Sequence, residues 1–304
     1  VPITALAQKC GLNSLADEHL TVPTDKGANA GAKVCSLVAG MVAGADSIDD
    51  MALLRHGAMS AVFDRPYAPS TLGSFLREFS FGHVRQLDAV ASRLLTGLAQ
   101  HTPVLAGING PVMVDLDDTI IEVHGYAKQG SGYGYSGVRG LNALIATVTT
   151  DEGAPIITGQ RLRKGACGSP RGAARIIGDT LATVKRLRSP HAATRPLLRA
   201  DSAFYGHPSV AAARRGGADV SITVTLLDGI VYARSAMHFS MNYRSAVVFG
   251  RCRQVSGDEK AAALQSIVEH LAPGAWDVVR QPNKRELAAT SVHAIDLTEA
   301  SVKM

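Results

Sequence analysis

The segment Pro111-Val-Met-Val-Asp-Leu-Asp-Asp-Thr-Ile-Ile121 alternates apolar and polar residues along its first half. Alternation with a period of two is typical of a β-strand that buries one face, so its apolar side chains are predicted to point into a core. The same period places Asp115 and Asp117 together on the opposite face, with Asp118 behind them. The segment therefore predicts a strand that presents carboxylates on its open face.

The pattern of the chain changes on both sides of this strand. Residues 1–105 have the apolar spacing of amphipathic helices and predict a helical N-terminal region. Residues 106–220 mix short strands with helices, which predicts a mixed α/β region. In residues 221–304 strands dominate, and Asp228-Gly229 between two apolar runs predicts a tight hairpin turn. We therefore expect three regions with these boundaries.

The composition is that of a globular protein. The chain has 304 residues, of which 46% are hydrophobic and 19% charged, enough for about two domains with their own cores. Its longest apolar run, residues 34–45, is shorter than the roughly 20 residues that span a bilayer, and no signal-peptide pattern opens the chain. The four cysteines have no metal-binding spacing and suit a reducing compartment. We therefore expect a cytoplasmic protein that does not contact a membrane.

The net charge of +5 is distributed unevenly. Residues 106–160 carry 2 basic and 6 acidic side chains, whereas residues 161–215 carry 12 basic and 2 acidic ones. Such a basic block would attract a polyanion such as DNA, although a solvated helix face gives the same pattern. The candidate DNA contacts are Arg161, Arg163, Lys164, Arg171, Arg175, Lys185, Arg186 and Arg188.

Two predicted strands end in an aspartate, Asp117 and Asp201. Two acids at neighbouring strand ends can hold Mg²⁺ or Mn²⁺, which prefer oxygen ligands, and Asp115 is a further candidate ligand. Such ions clamp the attacking and leaving oxygens of a phosphodiester displacement. An aspartate at a strand end can equally cap the turn that follows it.

Two stretches resemble the catalytic blocks of bacterial insertion-sequence DDE transposases. The first is Val114-Asp-Leu-Asp-Asp-Thr119, followed by Glu122-Val-His-Gly125 and a Tyr/Gly run to Tyr135, and the second is Leu198-Arg-Ala-Asp-Ser-Ala-Phe-Tyr205. The resemblance covers about residues 1–220. It implies an RNase H-like mixed sheet, a divalent metal, and cleavage and joining of DNA at transposon ends and target, with a homodimer as a further expectation.

The same resemblance assigns catalytic and metal-binding roles to individual aspartates. It makes Asp117 the first acid and Asp201 the second, with Asp115 and Asp118 as stand-ins for Asp117. Enzymes of this family need a third acid, a Glu within a Tyr…Arg…Glu…Lys pattern, and neither Glu286 nor Glu299 lies in one. We therefore expect an incomplete core with impaired catalysis, since small displacements of reacting groups already cost about a hundredfold in rate.

The segment from Val224 to Gly250 resembles the middle of a flavin-nucleotide-binding, pyridoxamine-phosphate-oxidase-like split barrel, and Glu286-Leu-Ala-Ala-Thr290 continues that likeness. The resemblance implies a C-terminal split β-barrel fragment and FMN as its cofactor. The FMN contacts that it implies are His238, Asn242, Tyr243, Arg244 and Ser245.

The main expectation is thus an impaired DNA transposase fused to a fragment of a flavoprotein. The alternative is that flavin binding by the C-terminal fragment is the function of the chain. A third reading rests on Asp115-Leu-Asp-Asp-Thr119, which also resembles the Asp-x-Asp-x-Thr motif of aspartate-based phosphatases.

Overall fold

The computed structural model describes residues 2–57, 59, 62–63, 66–124, 128–134, 136–204, 206–231 and 240–303. The chain divides into two compact units. The first comprises residues 1–108, 152–159 and 183–190, and the second comprises residues 109–151, 160–182 and 191–304.

Helices occupy the N-terminal part of the chain, as its apolar spacing predicts. They are α1 (Pro2–Lys9), α2 (Leu12–His19), α3 (Ala30–Val42), α4 (Pro69–Arg77) and α5 (Phe81–His101). Apolar side chains from α2 to α5 form one core, in which Ala16, Leu72 and Phe75 are completely buried. No helix among the residues described is both long and apolar enough to cross a lipid bilayer.

The rest of the chain builds a mixed sheet with helices between its strands, which confirms the predicted mixed α/β class. The strands are β1 (Val112–Glu122), β2 (Gly132–Tyr133), β3 (Arg139–Thr150), β4 (Ile156–Lys164), β5 (Pro196–Ala200), β6 (Asp219–Val231), β7 (Ser240–Gly250), β8 (Arg253–Val255), β9 (Val292–Ala294) and β10 (Glu299–Lys303). The helices are α6 (Ala173–Leu187), α7 (His207–Gly216), α8 (Gly257–Leu271), α9 (Ala275–Val278) and α10 (Lys284–Ala289).

Eight of these strands form one sheet. Its order is β10-β7-β6-β5-β1-β3-β2, and β4 also pairs with β3. β1 is antiparallel to β3 and parallel to β5, and β5 is parallel to β6. The parallel pairs need crossover connections, and α6 and α7 supply the helices that precede and follow β5. β8 and β9 form a separate pair.

The central strand β1 is buried on one face, as its alternation predicts. Val112, Val114 and Leu116 are exposed by only 3%, 0% and 2%. Asp117, which follows them, is exposed. The prediction that this strand has one core face and one open face is therefore confirmed.

The predicted hairpin turn at Asp228-Gly229 is wrong. The chain continues through these residues as one strand, β6, with an irregularity between Leu227 and Gly229. A glycine in a strand accommodates a bulge as readily as a turn, and the long pairing of β6 with β7 favours the bulge. β6 also pairs with β5, at Leu198 and Val220, so these C-terminal strands extend the same sheet as β1.

Candidate functional site

The strand register places the two candidate acids one residue beyond its last pair. The last pair in the parallel ladder of β1 and β5 is Leu116 with Ala200. Asp117 and Asp201 occupy the next position on their respective chains. Neighbouring strands lie about 4.8 Å apart, so the two backbones are close at this point. We call this pair of aspartates the acid site.

Each acid also bonds to the backbone of its own segment. Asp117 Oδ1 accepts the N–H of Asp118 at 2.7 Å. Asp201 Oδ1 accepts the N–H of Ala203 at 3.0 Å, at the start of a short 3-10 turn. Both residues are exposed. The local bonds orient the carboxylates, and at Asp201 they correspond to the turn-capping role that the sequence left open.

Asp115 has a partner other than a metal. Arg199 Nε donates to Asp115 Oδ1 at 2.6 Å, and Nη2 donates to Oδ2 at 3.2 Å. The two residues face each other in the register of β1 and β5. The hydrogen bond to Asp115 raises the pKa of Arg199. We therefore leave Asp115 out of the candidate cation ligands.

Asp118 lies on the buried side of β1, within a network around Arg163. Arg163 Nη2 donates to Asp118 Oδ2 at 2.8 Å, and the two side chains are 7% and 6% exposed. Asn142 Nδ2 and Ser169 Oγ also donate to the Asp118 carboxylate, at 2.5 and 3.1 Å. Arg163 further bonds to Asn142 Oδ1 and to the backbone carbonyls of Ser169 and Arg171. Neither Asp118 as a stand-in acid nor Arg163 as a DNA contact fits this burial.

The other candidate DNA contacts differ in exposure. Lys164, Arg171 and Arg175 are exposed in the second unit. In the first unit Lys185 and Arg186 are exposed, and Arg186 donates to Ser92 and, at 3.1 Å, to Thr183. Arg161 and Arg188 are partly buried, and burial lowers the pKa of Arg188. The exposed candidates of the second unit, which we call the basic loop group, are Lys164 at the end of β4, Arg171 in the loop after it and Arg175 in the first turn of α6.

No group of three His, Cys, Asp or Glu residues in the described part of the chain is arranged to hold a metal ion. Mg²⁺ does not need such a group, because it often binds through one or two carboxylates together with water and substrate phosphates. The acid site fits that minimal donor set. Glu286, a candidate third acid, is instead paired with Arg280, whose hydrogen bonds lower its pKa to about 2.

The candidate flavin contacts lie on two faces of β7. Side chains alternate along a strand, so Asn242 and Arg244 share one face, and Tyr243 and Ser245 share the other. His238 lies outside the described residues. The described candidates therefore point to both sides of the strand.

Arg244 is paired with Asp228, a partner that the alternation of side chains along β7 does not predict. Arg244 Nε and Nη2 donate to the Asp228 carboxylate at 3.0 and 2.9 Å. The pair lies at the bulge of β6, where Leu226 pairs with Arg244 across the two strands. The hydrogen bond lowers the pKa of Asp228 and raises that of Arg244. Arg244 is 56% exposed, so an incoming phosphate can still reach it.

Sequence reasoning identified the acids but missed the arginine beside them. Arg199 is two residues before Asp201 in a predicted strand, so a period of two would have put both on one face. Its partner Asp115 could not be found that way, because the pairing of β1 with β5 is set by residues far apart in the chain.

Residues 196–304 match the model of a known family, pyridoxamine 5'-phosphate oxidase. The C-terminal region is similar to that family. The match begins at the first residue of β5, earlier than the boundary at residue 221 that the sequence suggests. No curated protein matches the chain.

Three solved structures are also similar to parts of the chain. The flavocytochrome Anf3 from Azotobacter vinelandii is 42% identical over 28% of this chain and 40% of its own, with a TM-score of 0.24. A FAD- and haem-binding protein from Mycobacterium smegmatis is 35% identical over 28% of this chain and 42% of its own, with a TM-score of 0.24. A pre-cleavage Mos1 transpososome is 10% identical over 62% of this chain and 58% of its own, with a TM-score of 0.24. The chain spans less than two thirds of each of these proteins, and such TM-scores carry no argument about its fold.

Proposed function

We propose that the pyridoxamine 5'-phosphate oxidase-like region binds a flavin nucleotide. The family match over residues 196–304 carries this proposal. The described side chains fit the phosphate group of such a ligand, because Arg244 is exposed and its planar guanidinium matches phosphate oxygens. A phosphate would bind there by replacing or sharing the Asp228 carboxylate. A bound flavin supplies hydride- and electron-transfer chemistry.

Titration of the full chain with FMN, FAD and riboflavin, followed by flavin fluorescence, tests this proposal. We expect saturable binding of a phosphate-bearing flavin that Arg244→Gln weakens about tenfold or more, because a charge-assisted hydrogen bond is lost. Asp228→Asn should tighten binding, because it removes the anion that competes for Arg244. The matched control is Arg253→Gln, since Arg253 is 55% exposed and forms two hydrogen bonds with Glu259. Absence of saturable binding, or equal effects of the two arginine variants, would reject the proposal.

A second function is favoured by the position of the acid site. We propose that Asp117 and Asp201 hold Mg²⁺ or Mn²⁺ for cleavage of DNA phosphodiesters, as the resemblance to insertion-sequence transposases implies. The strand pairing supports this proposal, because Leu116 and Ala200 are paired and each is followed by one of the two acids. The sheet places β4, β3, β1, β5 and β6 side by side, with β3 antiparallel to β1 and with β5 and β6 parallel to it. This order supports an RNase H-like core.

The chain's own residues have separable roles in this second proposal. Asp117 and Asp201 would hold the cation, which would supply charge stabilisation for the reacting phosphate oxygens. The basic loop group holds the DNA backbone. With two acids rather than three, we expect slow nicking and little strand transfer.

Nicking of a supercoiled plasmid in Mn²⁺ tests the acid site. The wild-type chain should nick, and Asp201→Asn, which removes a charge while keeping the shape of the side chain, should not. Asp258→Asn, in the first turn of α8, is the matched control and should nick like the wild type. Equal nicking by Asp201→Asn and the wild type would reject the assignment.

A further inference from the structure

Arg199 lies on the same open face of the sheet as the acid site. Asp115 and Asp117 share that face because side chains alternate along β1. Arg199 contacts Asp115 and is therefore on that face too, two residues before Asp201 on its own chain. One arginine is thus held beside the two acids by a third carboxylate.

The bonds to Asp115 do not use all the donors of Arg199. They involve Nε and Nη2, at 2.6 and 3.2 Å from the carboxylate oxygens. A guanidinium has further N–H groups in the same plane, including both on Nη1. The side chain of Arg199 is 61% exposed, against 27% for Asp115. The Nε and Nη2 edge of the Arg199 guanidinium is therefore held by Asp115, and its Nη1 group is available to a ligand.

The charges on this face require a cation beside the phosphate. A phosphodiester that approached Asp115, Asp117 and Asp201 alone would be repelled by three carboxylates. A divalent ion on the acid site and a guanidinium beside it offset that repulsion. Arginine suits the second task better than lysine, because its planar fork matches the spacing of phosphate oxygens.

We propose that Arg199 binds a non-bridging oxygen of the DNA phosphate at the acid site, and that Asp115 positions Arg199 instead of binding the cation. The inference rests on the proposed cation site of Asp117 and Asp201. In this proposal Arg199 contacts the substrate, and Asp115 only positions Arg199.

Two separate measurements on the full chain test this proposal. Electron paramagnetic resonance of free Mn²⁺ reports cation binding, and fluorescence anisotropy of a labelled duplex in Mn²⁺ reports DNA affinity across a range of salt concentrations. We expect Arg199→Gln to retain Mn²⁺ binding but to weaken DNA binding about tenfold. The slope of log affinity against log salt should fall by about 1, because one phosphate contact is lost. Arg199→Lys keeps the charge and should keep the slope.

The remaining variants separate the outcomes. Asp115→Asn should retain Mn²⁺ binding, whereas Asp201→Asn should lose it. Arg253→Gln controls for the loss of an exposed arginine in an ion pair. If Arg199→Gln behaves like Arg253→Gln, the role of Arg199 is overturned while the cation site stands. If Asp115→Asn abolishes Mn²⁺ binding, Asp115 is a ligand and its positioning role is overturned. If Asp201→Asn and the wild type bind Mn²⁺ equally, the cation site fails and this inference fails with it.

Discussion

Arg163 and Asp118 form an ion pair at 2.8 Å with side chains that are 7% and 6% exposed. The pair joins β4 to β1 next to Asp117. Through the carbonyls of Ser169 and Arg171 it also holds the loop between β4 and α6, which carries Arg171. The buried Arg163 guanidinium thus links the strand that carries Asp117 to the loop that carries Arg171.

Removing one member of this pair should destabilise the protein strongly. We expect Arg163→Gln to lower the free energy of unfolding by about 3–5 kcal/mol, because it leaves the Asp118 carboxylate buried and unpaired. Urea denaturation measures this change. The control is Arg175→Gln, whose partner Asp179 lies on the surface and whose loss should cost under about 1 kcal/mol. Equal losses in the two variants would contradict the structural role of Arg163.

Close backbone packing just after the end of β4 leaves no room for a side chain at Gly165. A Cβ at Gly165 would lie less than 3.0 Å from the backbone oxygens of Gly132 and Gly140. Gly165→Ala should therefore cost about 1–3 kcal/mol in thermal or urea unfolding. Gly178→Ala is the control: nothing lies within 4 Å of its Cβ position in α6, so it should stabilise the helix by about 0.5–1 kcal/mol. A stable Gly165→Ala variant would contradict the tight contact.

The ionisation of Glu286 should depend on Arg280. The Arg280 side chain and the Asn283 N–H lower the pKa of Glu286 from 4.5 to about 2. Because the folded pKa is lowered, the contribution to stability is complete above about pH 4.5 and is lost as the pH falls towards 2. Carboxyl NMR titration should show the pKa of Glu286 rising towards 4.5 in Arg280→Gln. An unchanged value would mean that the ion pair does not form in solution.

The basic loop group should bind DNA without sequence preference. Arg171→Ala should weaken binding to unrelated duplexes to the same extent and lower the salt slope by about 0.9, because one phosphate contact is lost. The Arg171 carbonyl that accepts Arg163 remains in this variant, so folding should be retained. Lys284→Ala, on the exposed part of α10, is the matched control. The prediction fails if the two variants bind DNA with equal affinity and equal slope.

The two family resemblances meet on β5. In the second acidic block Asp201 directly follows β5, and the pyridoxamine 5'-phosphate oxidase match begins at Pro196, the first residue of that strand. β5 pairs with β1 on one side and β6 on the other. A single ladder therefore joins the region that carries the acids to the region that carries Arg244.

Local patterns were sufficient for most of the elements around these sites. The period of β1, the helical spacing of α5 and α6, and the positions of Asp117 and Asp201 could all be read from neighbouring residues. The turn predicted at Asp228-Gly229 failed, because a glycine in an apolar run permits either a turn or a bulge. The pairing of β6 with β7 decided between them.

The amino-acid sequence by itself determined most of the strands and helices and their apolar faces, because these properties depend on spacing along a few turns or pleats. Only the tertiary structure decided which charges are neighbours. It paired Asp115 with Arg199, buried Asp118 against Arg163, and put Asp117 and Asp201 one residue beyond the last pair of the β1–β5 ladder. The two ion pairs join residues from different strands, and the register of a sheet is fixed by packing across the whole core.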